Sequence, residues 1–223
     1  MRKGVAITTQ PSSSLSAPSY LELGLIVLTG ALHVGMEVVL KADARWLRIY
    51  NLSAAAVWGC YVVWRLRMTP GLAQAWGFRL DNFWPAWRRC ISFVVPAIIG
   101  AFLYGGVRGR LPLPESFWLI LLIYPMYGIA QQVAVQVFMN RNLRGLLPSL
   151  VARAGIIGVL FGAAHVPNWI LASLTCCAGV VFTCIYERYP NVLAIGVAHG
   201  LLGTAVYYLV LGVDPMAEWR AGP

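Results

Sequence analysis

The chain has 223 residues, 59% of them hydrophobic and only 11% charged, with a mean hydropathy of +0.70. A soluble domain carries about 25% charged residues, so this composition argues against a water-facing enzyme, a disordered protein or a nucleic-acid-binding domain. The net charge of +9 reflects scarce acids, 8 Asp+Glu against 17 Lys+Arg, and basic residues set between apolar runs suit anionic lipid headgroups.

Residues 1–19 are rich in Ser, Pro and Thr and read as a disordered N-terminal tail without the apolar core of a signal peptide. From Tyr20 onward, apolar runs near the ~20 residues that cross a bilayer follow one another at 20–40, 46–65, 90–107, 117–139, 149–167, 169–187 and 191–211. The segment 66–89 mixes Arg79, Asp81, Arg88 and Arg89 with Trp76, Phe83, Trp84 and Trp87, a pattern expected of an interfacial helix. The fold class expected is therefore all-α: a polytopic transmembrane bundle of about seven spans plus one interfacial helix. It forms a single domain over 20–211, followed by a C-terminal tail at 212–223.

A polar side chain inside a span is costly unless it faces protein or water, so each one marks a candidate site. The first span carries His33 and Glu37, an i,i+4 pair that reads as a local hydrogen bond near the interface. The fourth carries Gln131, Gln132 and Gln136, with the last two on one helix face. Interhelical hydrogen-bond glue and a functional site remain equal readings of that cluster. Next come Phe161 and His165, again i,i+4, followed by Asn168. His199 occupies the last span. Each of these two histidines lies beside a GxxxG step, Gly158/Gly162 and Gly196/Gly200, which lets helix backbones approach closely and would bring the rings into a common core.

Basic residues in alternate loops number 11 on the side of the N-terminus and 6 on the other, which predicts an N-terminus inside the cytoplasmic or inner membrane. The five cysteines show no metal-ligand spacing and read as small buried hydrophobes. No internal repeat or inverted symmetry suggests a two-halved transporter.

In order and helix placement these residues resemble the CPBP family of CAAX proteases and bacteriocin-processing enzymes, also called Abi, which is related to the type II CAAX prenyl endopeptidase. That family carries EExxxR, FxxxH and HxxxN/D motifs on successive core helices, here within 117–211. Phe161 and His165 match FxxxH, and His199 matches the histidine of the third motif. Gln131, Gln132 and Gln136 stand at the EExxxR positions, and Gly203 stands at the Asn/Asp position. In the family a glutamate is thought to act as general base, with the histidines and Asn positioning water or the oxyanion. A glutamine amide can bind water but cannot deprotonate it effectively. The resemblance thus implies a hydrolase, a CPBP-like intramembrane peptidase for membrane-associated or lipidated peptides, with the motif positions His165, His199, Gln131 and Gln132 as its catalytic candidates. Glu37 is a substitute carboxylate from a new position, and either histidine could serve as base. Gln136, Phe161 and Asn168 are binding candidates. The alternative is a non-catalytic pseudoprotease, or a binding or scaffold subunit of a membrane complex. Two histidines with neutral amides make a weak zinc site, so no cofactor is expected, although the family carries descriptions of metal dependence. The partners expected are membrane lipid and a membrane-anchored peptide or protein.

Overall fold

The computed structural model describes residues 17–220. Most of the tail expected at 1–19 lies outside the described residues. Its last residue, Ser19, is already structural: its side chain caps the first helix by accepting from the Glu22 N–H.

The architecture is an all-α membrane bundle. Helix α1 (Tyr20–Val34) runs on as a π-helical turn, Gly35–Val39, and α2 (Ala44–Met68) returns beside it. After the short α3 (Leu72–Ala75) come α4 (Phe83–Val107) and α5 (Glu115–Gln132). The axis of α5 continues through a π-helical segment, Val133–Asn140, into α6 (Arg141–Leu143). Helices α7 (Leu150–Ala163), α8 (Trp169–Arg188) and α9 (Val192–Ala205) follow, and α9 continues through a π-helical segment at Val206–Leu211. The C-terminal stretch expected as a tail forms a last helix, α10 (Pro215–Arg220). Asp43, Ser149, Asn168 and Asn191 cap α2, α7, α8 and α9 by accepting backbone N–H bonds.

Among the described residues, five helical stretches are long and apolar enough to cross a membrane: Tyr20–Val39, Phe83–Val107, Glu115–Leu143, Trp169–Arg188 and Val192–Leu211. Helix α7 is apolar but only 14 residues long. Helix α2 has the length, yet its arginines keep it outside that group.

The interfacial helix expected at 66–89 is divided instead. It comprises the end of α2, the short α3, a turn and the first turns of α4. Pro70-Gly71 and Gly77 interrupt it, and both glycines adopt positive φ (81° and 86°), which side chains on other residues resist. Trp76 is buried, not laid on the membrane surface. The turn is pinned to the start of α9: Val192 N–H donates to Gly77 O at 3.0 Å, and Asn191 Nδ2 donates to Arg79 O and Asn82 Oδ1, both at 2.7 Å. The cysteines also differ from expectation. Only Cys90 is buried, while Cys60, Cys177 and Cys184 are exposed on the outer surface of the bundle.

The main core forms where α4, α5 with its π-helical extension, α8 and α9 meet, around Val94, Val137, Phe138, Phe182 and Ile195. The closest helix pair is α5 with α9. Its contact runs along Gly128, Gly196, Gly200 and Gly203: a Cβ on Gly128 would stand 2.3 Å from the Gly196 carbonyl oxygen, and one on Gly196 would stand 2.5 Å from Ile129 Cα. The other small-residue step, Gly158/Gly162, packs against Cys176 and Val180 of α8. The two steps therefore serve different neighbours.

Candidate functional site

The α5–α9 seam places the glutamines directly against His199. With backbones this close, side chains that follow the glycines meet at hydrogen-bond distance. His199 Nε2 and Gln131 Oε1 are 2.8 Å apart, and His199 Nδ1 lies 3.4 Å from Gln132 Nε2. Gln136 Nε2 donates to Gln132 Oε1 at 3.1 Å and to Thr183 Oγ1 at 3.3 Å. Asn140 Nδ2 donates to Gln136 Oε1 at 3.3 Å and to Glu187 Oε1 at 2.9 Å. Arg153 completes the file: its Nε donates to Asn140 Oδ1 at 3.1 Å, while its NH2 nitrogen pairs with Glu187 Oε2 at 3.0 Å. Gln132, Gln136, Asn140 and Thr183 are fully buried, so their mutual bonds satisfy groups that would otherwise be costly.

His165 sits just beyond the end of α7. Its Nδ1 is 2.7 Å from the Phe161 carbonyl oxygen, so that nitrogen donates and Nε2 keeps its lone pair. The Phe161 ring stands between the two imidazoles, with centroids 5.1 Å from His165 and 5.5 Å from His199. The FxxxH spacing thus does two jobs here, because one residue supplies both a ring spacer and the carbonyl that sets the histidine tautomer.

Both histidines, with Gln131, line a cavity of about 970 Å³. Its wall also includes His33, Glu37, Phe161, Asn168 and Tyr124. Glu37 therefore reaches the same space as the motif residues, but its partner is His33, whose Nε2 lies 3.3 Å from Glu37 Oε2. No hydrogen bond or ion pair joins it to Gln132 or His165. Asn168 uses its Oδ1 to cap α8, accepting from Leu171 N–H at 3.0 Å. Gln136 lies away from the cavity, inside the buried file. At the Gly203 position the ring of Tyr124 fills the space beside the glycine, and a Cβ there would stand 2.7 Å from Tyr124 Cε1.

Sequence reasoning did not single out Asn140, Thr183, Glu187, Arg153 or Tyr124. Asn140 continues the i,i+4 spacing of Gln132 and Gln136, a signal present in the chain. Arg153 and Glu187 each stand near a helix end, and only folding turns them inward to meet.

Both His199 nitrogens are engaged, and the neighbouring amides are neutral. Among the described residues no three His, Cys, Asp or Glu side chains gather closely enough to hold an ion.

Residues 113–205 match the family model described as type II CAAX prenyl endopeptidase Rce1-like. Over this stretch, less than half of the chain, the protein is similar to that family. The match begins just before α5 and ends with α9, so it takes in all the residues of the histidine–glutamine site. A curated protein, ammonium transporter 3 member 3 of Oryza sativa subsp. japonica, is 28% identical over 199 residues. That similarity covers 83% of this chain but only 37% of the transporter's own length. No solved structure matches. The Rce1-like match and the apolar helices around it make this an integral, multi-pass membrane protein.

Proposed function

We propose that the chain is an intramembrane peptidase acting on membrane-associated or lipidated peptides, with His165 as its general base. The observation that carries this reading is the His165 ring: Nδ1 is committed to the Phe161 carbonyl, which leaves the Nε2 lone pair for the cavity. The Rce1-like match of the core supports the same reaction class. In this scheme Nε2 takes a proton from water, and the water oxygen adds to the scissile carbonyl. The Gln131 amide N–H steadies the oxyanion, and the proton held on His165 passes to the leaving nitrogen. His199 orients Gln131 and takes no proton, since its own nitrogens are occupied.

A second reading is binding without cleavage, and one observation favours it. At the positions where the family keeps its carboxylates, both glutamines are held by His199 and neither is basic. Arg65 at the end of α2 and Arg141 of α6 meet Glu22 beside Ser19, which supports an N-terminus on the cytoplasmic side. The transporter similarity supports membrane embedding, and no transport is proposed from it.

The deciding experiment is cleavage of a membrane-anchored peptide by purified protein in detergent. Wild-type turnover that His165→Ala abolishes is the expected result. Turnover no higher than that of the variant overturns the peptidase reading, and retained binding of the same peptide then supports the second.

A further inference from the structure

The buried file has a direction, and charges at its far end set it. Arg153 Nε can only donate, so Asn140 must present Oδ1 to it. Glu187, as a carboxylate, can only accept, which fixes Asn140 Nδ2 on the opposite side. Asn140 Nδ2 therefore also faces Gln136, whose oxygen accepts and whose NH2 donates onward to Gln132 Oε1. Gln132 is left with its NH2 toward His199 Nδ1. A ring nitrogen that receives a donor must hold a lone pair, so the His199 proton sits on Nε2 and points at Gln131 Oε1. At no step can an amide be reversed without setting donor against donor or acceptor against acceptor among fully buried side chains.

Gln131 also has Tyr127 as a hydrogen-bond partner. We propose that Arg153, Asn140, Gln136 and Gln132 form a positioning file that holds His199 in the Nε2–H tautomer and thereby turns the Gln131 NH2 to meet a cavity ligand as a hydrogen-bond donor. The ligand chemistry this selects is an acceptor, a carbonyl or carboxylate oxygen. That last step rests on the cavity being the ligand site of the proposed function, whereas the tautomer itself does not. Arg153 and Asn140 touch no ligand and act through the others. The ion pair of Arg153 with Glu187, which Arg144 joins at 2.8 Å, thus sets the polarity of a site several side chains away.

The test reads the imidazole nitrogens directly. The chain has three histidines, so protein labelled with ¹⁵N-histidine in detergent gives a simple spectrum, assigned with His33→Gln and His165→Gln. His199 is expected to show a protonated-type signal at Nε2 and an unprotonated-type signal at Nδ1. Asn140→Leu cuts the file from its charged end, and the minor tautomer should rise roughly fivefold or more. Gln136→Leu cuts it one link nearer the ring with the same expectation, and it carries the test if the Asn140 variant does not fold. Thr183→Val touches Gln136 from outside the file and should leave the signals in place. The proposal is overturned by a wild-type proton on Nδ1, by unchanged signals when the file is cut, or by an equal change in Thr183→Val. Because no step measures cleavage, the tautomer can be read equally well in a protein without peptidase activity.

Discussion

Gly200 of α9 lies against Pro125 of α5 so closely that a Cβ on the glycine would stand 2.4 Å from the proline Cα. The glycine has no Cβ and the proline no N–H to hold the other off at this crossing. The contact brings His199, one residue earlier, within reach of Gln131 and Gln132. Gly200→Leu should separate the two helices. Overpacking of this kind costs about 1–3 kcal/mol, and the clash here is with backbone, so the upper end is expected. Thermal unfolding in detergent measures it, and a melting temperature equal to wild type would show that the seam is looser than described.

Gln131→Glu combined with Gln132→Glu returns carboxylates to the motif positions. A general base contributes typically 10²–10⁴-fold. The same change removes the Gln131 N–H that steadies the oxyanion, a loss of similar size, so with His165 as base cleavage of a membrane-anchored peptide should not rise above wild type. The initial rate of product formation is the measurement. A rise of about tenfold or more would show that a carboxylate at these positions, and not His165, is the better base.

Gly203→Asn should not restore the third motif by itself. The Tyr124 ring occupies the space a side chain would need, and it is held in turn by Tyr127 and Tyr207, at centroid distances of 5.3 and 5.8 Å. The single variant should lose folded yield, and Gly203→Asn with Tyr124→Ala should recover part of it. Size-exclusion profiles of the two variants decide the matter.

Asp214 governs the attachment of α10. Its carboxylate accepts from Ser116 Oγ and Tyr208 Oη, both at 2.7 Å, and from Met216 N–H at 2.9 Å. Partial burial works to raise its pKa, but these donors outweigh it and hold it below the usual aspartate value of 3.8. A carboxyl whose folded pKa is depressed contributes stability that is fully present above its unfolded value and is lost as pH falls through the folded one. The docking of α10 should therefore be unchanged from neutral pH to about 4 and weaken below 3.8. Hydrogen exchange at Met216 and Ala217 is the readout. Asp214→Asn should exchange faster at neutral pH and show little further change on acidification.

Arg153 is 2% exposed, and Glu187→Gln would leave its guanidinium without a counter-charge. Breaking a buried pair from one side costs about 3–5 kcal/mol. A fall in denaturation midpoint of that order is expected. A replacement that removes both charges, Arg153→Met with Glu187→Leu, should cost less.

Much of the bundle was legible in the chain because a bilayer imposes length and apolarity on whatever crosses it. The helices from Tyr20, Glu115, Trp169 and Val192 stand where the apolar runs place them. Residues 66–89 were misread because tryptophans flanked by arginines signal an interface, and hydropathy alone does not tell a buried Trp76 from an exposed Trp84. The pairing of Gln131 and Gln132 with His199 could be suspected from glycine spacing, although only the fold shows which neighbour each glycine step serves. Glu37 illustrates the limit. An i,i+4 histidine is enough to explain it locally, and its place in the cavity wall depends on where α1 packs. Arg153 and Glu187 were beyond reach, since two charges 34 residues apart signal nothing until α7 and α8 align.

Helix α1 contributes His33 and Glu37 to the cavity, yet little of it is buried in the bundle. Val27 of α1 and Leu174 of α8, both on membrane-crossing helices, line the cavity. A ligand that reaches this cavity from the membrane leaves hydrocarbon and not water. The quantity that sets occupancy is then the mole fraction of ligand among lipids, so diluting the protein with detergent at constant ligand per volume should empty the site. Assays that vary only bulk concentration would mistake this two-dimensional dilution for weak affinity.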